Sequence, residues 1–110
     1  MQITVTGKQI DVGDALRRHV NDRLTNGVAK YFDGAMEGHV VFSHDGPLYR
    51  AHISVRVGKG IRWESGADDP EIYASFNLAA EHMDKQLRRH KRKLRDHGKN
   101  RDDVPPPDTP

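Results

Sequence analysis

The stretch "KQLRRHKRKLRDHGK", residues 85–99, concentrates eight of the chain's 18 lysines and arginines. Ammonium and guanidinium groups at this density are suited to one task above others: neutralising phosphates along a polyanion and releasing its counterions. Leu87 and Leu94 stand seven apart within the run, the spacing of a single apolar helical seam. Three assignments compete for such a segment: a solvated helix end, a membrane-surface helix, or a cationic rod lying along nucleic acid. A membrane-surface helix wants a bulky apolar face with aromatic residues, and from residue 85 onward the run offers only the two leucines. Polyphosphate is the better partner. On a helical wheel Lys85, Arg88 and Arg92 point away from the seam, with Arg89 near them. Lys91 and Arg95 flank one side and Lys93 the other.

Other chemistries find less support. There is no Gly-rich phosphate loop, no GxSxG and no HExxH. Asp68 and Asp69 precede a helical pattern and read as turn and dipole residues rather than an acid–base pair, so a non-enzymatic protein is expected. Seven histidines invite a metal reading, which their spacing undercuts. His82, His90 and His97 have no histidine at i+3 or i+4, and His39 and His44 have opposite strand parity, so no metal or other cofactor is expected. The aromatic residues Phe42, Tyr49, Trp63 and Phe76 fall at buried parity, which favours core over a base-stacking platform. Arg50, His52 and Arg56 share a polar strand face whose bland reading is a solvated sheet surface.

The elements that must hold the basic run follow from periodicity. Residues 2–6 alternate, with Ile3 and Val5 on one face, and read as a strand ending at Gly7. Ala15, Leu16, Val20 and Leu24 then mark a helix expected over about 13–32, loosened near Asn26-Gly27. "HVVFSH" (39–44), "LYRAHISVRV" (48–57) and "IRWESG" (61–66) read as three strands, joined by turns at "DGP" and "GKG". In the second of these, Tyr49, Ala51, Ile53, Val55 and Val57 alternate with polar residues; Ile61 and Trp63 continue the buried parity. From Pro70 to about His97, Ile72, Phe76, Ala79, Ala80, Met83, Leu87, His90 and Leu94 form one helical stripe, with Gly98 as a stop. The order β-α-β-β-β-α predicts an α+β fold, a four-stranded sheet with two helices packed on one face. The first crossover makes the first strand parallel to its partner and right-handed. A helix over residues 70–97 is about 42 Å long at about 1.5 Å per residue, so its basic turns project past the sheet.

Charge is segregated along the chain: residues 1–80 carry a net of −1, residues 81–101 a net of +6 and residues 102–110 a net of −3. Charge segregated this way points to a polyanionic partner met at one end of the fold; the alternative on composition alone is a charged, solvated helix that contacts nothing. At 110 residues the chain is about one domain, with no cysteine for a disulfide or a thiolate ligand. No segment approaches a membrane span, and "MQITVTGKQI" lacks the features of a secretory signal, so a cytoplasmic location is expected. The segment 98–110, "GKNRDDVPPPDTP", is acidic and proline-rich and reads as a tail or linker after a folded unit of residues 1–97.

Three stretches, "MQITVTGKQIDVGDALRRHV", "KYFDG" and "IYASFNLAAEHMDKQLRRHKRKLRDH", occur in an order and at distances that resemble the ribosome hibernation-promoting factors, the ribosome-associated inhibitor (protein Y) group. The resemblance covers residues 1 to about 97. It implies a β-α-β-β-β-α fold similar to double-stranded-RNA-binding domains. It also implies binding to the small ribosomal subunit between head and body, where mRNA and the A- and P-site tRNAs would lie. Idle ribosomes would be occupied and protected, with ribosomal RNA as the partner and neither a membrane nor a small-molecule substrate. By matching position Arg23 takes the place of a family lysine on the first helix, with Lys30 another basic position of that region. Lys85, Arg89, Lys91 and Lys93 match basic positions of the second helix, and Arg88, Arg92 and Arg95 extend the patch. His82 stands where the family often has lysine, and Asn77 where it often has aspartate. Long family forms carry a second domain that pairs ribosomes, and the acidic linker suggests the N-terminal part of such a form, or a short form with a disordered tail. A monomer that silences single ribosomes is expected. The alternatives are a general double-stranded-RNA-binding module and a domain that docks on an acidic protein.

Overall fold

A computed structural model describes residues 2–27, 36–57 and 61–99, with side chains along the last helix described as far as His90. The elements are β1 (Gln2–Gly7), α1 (Asp14–Gly27), β2 (Met36–Asp45), β3 (Leu48–Val57), β4 (Ile61–Asp69) and α2 (Ile72–Lys99). They form one four-stranded sheet in the order β1-β2-β3-β4. β1 runs parallel to β2, from Gln2 opposite Glu37 to Gly7 opposite Phe42. The β2–β3 and β3–β4 pairs are antiparallel. The expected α+β fold, with both helices on one face of the sheet, is the one observed.

Alternation builds the core. Val40 and Phe42 of β2 and Ala51, Ile53 and Val55 of β3 have no exposed surface. Against them lie Leu16, Val20 and Leu24 of α1 and Phe76, Ala79, Ala80, Met83 and Leu87 of α2. The rings of Phe42 and Phe76 meet at 6.3 Å between centroids, which couples the centre of the sheet to the start of α2. β2 and β3 are joined through Gly46 and Pro47. Gly46 takes a φ of 61°, the left-handed conformation that a two-residue hairpin requires at its first position.

Several boundaries and faces differ from the sequence reading. β2 begins at Met36 and β4 continues to Asp69, because edge residues of mixed polarity still complete the ladder to their neighbours. α1 begins at Asp14 and is described to Gly27; the extension expected over 28–32 lies outside the described residues. Ala15 is exposed, since the buried line is the i, i+4 row Leu16, Val20, Leu24. Val12 joins that row from the turn before the helix. Ile61 is 52% exposed, at the terminal rung of the β3–β4 ladder. α2 starts at Ile72 rather than at Pro70, and Gly98 does not stop it before Lys99. The Asp69 carboxylate accepts the Glu71 amide at 2.9 Å, and the Glu71 carbonyl accepts the Ser75 amide at 3.0 Å, which closes the first turn.

Candidate nucleic-acid interface

α2 is anchored along one side and bare along the other. Phe76, Ala79, Ala80, Met83 and Leu87 place its seam in the core. Side chains fasten it to β4. The buried Ser65 hydroxyl donates to the Ala79 carbonyl at 2.7 Å, and Gln86 Nε2 donates to the Glu64 carbonyl at 3.1 Å. His82 Nδ1 lies 3.4 Å from the Gly66 carbonyl. Further along, the His90 ring meets Trp63 edge-on at 4.7 Å. These contacts fix the rotation of the helix about its axis, and that rotation decides which side chains face outward.

The outward face holds the cations. Lys85, Arg88 and Arg89 are exposed, and among the described residues none of them has an acidic partner. His82 is also exposed, although its ring reaches the β4 carbonyl of Gly66. Lys91, Arg92, Lys93 and Arg95 continue the same helix, which runs to Lys99; their side chains lie outside those described, as does the whole of Lys30. The structure therefore exposes Lys85, Arg88 and Arg89 at the head of the basic run, with His82 one turn earlier and turned toward β4.

Arg23 sits differently. Its Nη2 donates to Asp84 Oδ2 at 2.8 Å across the two helices, and both side chains are largely covered, 29% and 20% exposed. Asn77, the other departure from the family pattern, faces α1: its amide oxygen accepts from His19 Nε2 at 2.8 Å. Neither of these interhelical contacts was legible from local spacing, because each joins residues about 60 positions apart. An acid standing directly before the basic run, as Asp84 does before Lys85, was the one signal in the sequence.

The outer face of the sheet has cations of its own, but each has a partner. Arg50 donates to Asp68 from Nε at 2.8 Å and lies 3.7 Å from Asp45. Arg56 pairs with Glu37, Arg62 with Glu64, and His52 Nε2 lies 3.1 Å from Glu64. Hydrogen bonding from Arg50, aided by its charge against a smaller opposing effect of burial, holds the Asp68 carboxyl below its ordinary range. The hydrogen bond and charge of Asp68 raise Arg50 in turn. Asp68 is thus a cross-strand partner on β3–β4 rather than a turn residue. Among the aromatic residues Phe42 and Phe76 are fully buried, while Trp63 and Tyr49 are half-buried, Tyr49 against the His44 ring at 4.5 Å. No cluster of three or more metal-ligating side chains occurs among the described residues, and no helix there is long and apolar enough to cross a membrane.

The fold and its one-sided basic helix define an α+β domain with an exposed cationic face. The family model described as "Sigma 54 modulation protein / S30EA ribosomal protein" matches residues 3–95, and the chain belongs to that family. It is 38% identical over 96 residues to a ribosome hibernation promotion factor of Bradyrhizobium diazoefficiens, covering 87% of this chain and 47% of that protein. A ribosome hibernation promotion factor of Rhizobium meliloti is 32% identical over 97 residues, covering 88% of this chain and 51% of the relative. The chain thus spans about half the length of these two curated relatives. Among solved structures, the N-terminal domain of Thermus thermophilus Protein Y superposes with a TM-score of 0.73 at 28% identity, covering 82% of this chain and 99% of that domain. The family is one of ribosome-associated binding proteins, not of enzymes.

Proposed function

We propose that this chain is a ribosome-hibernation domain. Residues 1–97 bind the small ribosomal subunit in the mRNA/tRNA channel through α2, block A- and P-site occupancy and preserve idle ribosomes. The observation that carries this reading is the row of exposed cations Lys85, Arg88 and Arg89, unpaired among the described residues, which leads into Lys91, Arg92, Lys93 and Arg95 on a helix locked in rotation by the core. Cations without an internal acid are available to phosphate, and each phosphate neutralised releases counterion. The names of the relatives point to the ribosome as the polyanion.

On this reading the partner is ribosomal RNA, the action is occlusion without chemistry, and the protein works as a monomer in the cytoplasm. Co-sedimentation with small subunits in excess duplex RNA tests it. Binding should persist under that competition and should be displaced by mRNA and initiator tRNA. Displacement from the subunit by duplex RNA alone would instead define a general double-stranded-RNA-binding module.

A further inference from the structure

The two helices are pinned to each other at two places. Near the start of α2, His19 bonds Asn77 and packs its ring on Tyr73 at 5.2 Å and on Phe76 at 5.6 Å. One turn further along α1, Arg23 reaches Asp84, the residue before the first bare cation of α2. Gly27 makes this second contact possible. A Cβ at that position would lie 2.3 Å from Arg23 Nη1 and 3.5 Å from Asp84 Oδ1, so the guanidinium occupies the space a side chain would take. Asp84 Oδ1 is closed off from solvent with no hydrogen-bond partner among the described residues, which leaves the Arg23 guanidinium as the counter-charge of this carboxylate there. A phosphate approaching Arg23 would compete with a carboxylate already held at 2.8 Å.

Resting on the proposed ribosome-binding reading, we infer that Arg23 is a positioning residue and not an RNA contact. With Asp84 and Gly27 it forms a clamp that sets the height and rotation at which Lys85, Arg88 and Arg89 meet phosphate. A clamp and a contact respond oppositely to the same substitution. Asp84→Asn deletes an acid beside an RNA-binding surface and frees Arg23. If Arg23 touches phosphate, binding tightens; if Arg23 positions α2, binding weakens despite the gain in net charge.

The test uses the full 110-residue chain and purified small subunits over a range of salt. Asp84→Asn and Gly27→Ala should each weaken binding by about fivefold, roughly the loss of one partly covered ion pair, with the salt slope unchanged. Gly27→Ala keeps the charge of Arg23 and only displaces its flexible end, so the fold survives. Glu81→Gln, at an exposed acid of α2, is the control and should not weaken binding. An Asp84→Asn variant that binds as tightly as the wild type or tighter overturns the inference. So does an Arg23→Gln variant whose slope falls by about 0.7–0.9, the loss of one phosphate contact. A wild-type chain that binds no small subunit sinks the proposed function instead. The clamp is then read separately by a thermal-unfolding cycle of Arg23→Gln and Asp84→Asn: coupled effects uphold it and additive effects refute it.

Discussion

The outer face of the sheet and the outer face of α2 are both rich in cations, and they differ in one respect. On the sheet, Arg50, Arg56 and Arg62 each face an acid on the same or the neighbouring strand. On α2, Lys85, Arg88 and Arg89 face none among the described residues. An exposed ion pair contributes little to stability, but it does occupy the charge: a guanidinium closed on a carboxylate must give up that partner before it can hold a phosphate. Counting lysines and arginines therefore does not find a polyanion surface, whereas asking which of them lack an internal acid does.

The largest expected effect follows from that difference. Reversing Lys85, Arg88 and Arg89 to Glu should lower small-subunit affinity on the order of a hundredfold or more at moderate salt, as attraction becomes repulsion at several phosphates. Circular dichroism should stay unchanged, since all three side chains are exposed. The matching triple replacement of Arg50, Arg56 and Arg62 by Gln should leave affinity within about twofold. Equal losses from the two triples would erase the distinction between the faces.

A second prediction concerns the anchoring of α2. Leu87 is fully buried and is the last described core residue of α2, inside the basic run. Leu87→Ala should destabilise the domain by about 2–5 kcal/mol in denaturant unfolding. Affinity should fall as well, because the helix loses its fixed rotation. Full affinity in a folded Leu87→Ala variant would show that the cations bind without help from the core.

These effects also mark what could be read from sequence. The element order, the parallel β1–β2 pair and the face of α2 were legible, because alternation in β3 and the 3.6-residue stripe from Ile72 to Leu87 are local patterns with strong amplitude. The exposed basic side of α2 was legible too, since Lys85, Arg88 and Arg89 lie opposite that stripe. The pairing of Arg23 with Asp84 was not. The two stand 61 residues apart, and an arginine exposed on a helical wheel looks the same whether it meets solvent, phosphate or a carboxylate of another helix. Asp68 was misread for a similar reason: two acids before a helix resemble capping residues, and only the β3–β4 register puts Asp68 opposite Arg50.

A smaller effect is expected from pH. The Asp68 carboxyl is held below its ordinary value by Arg50, so this pair stabilises the fold above the usual carboxylate range and the stabilisation disappears as pH falls through the lowered value. Asp68→Asn should flatten the acid limb of a stability–pH curve measured by thermal unfolding. Small-subunit binding near neutral pH should not change. A binding defect in this variant would bring the outer sheet face into the interface.

The smallest expected effect is none at all. In sucrose gradients the 110-residue chain added to ribosomes should leave single particles, and a dimer peak without other factors would place a pairing surface within these residues.

The decisive observation is the density of this chain on an idle small subunit. The account predicts α2 seated against ribosomal RNA, with Lys85, Arg88 and Arg89 within reach of phosphate oxygens. Arg23 should still be closed on Asp84, and the Arg50–Asp68 side of the sheet turned away from the RNA. Density showing the outer sheet face on the RNA, with α2 directed into solvent, would contradict it.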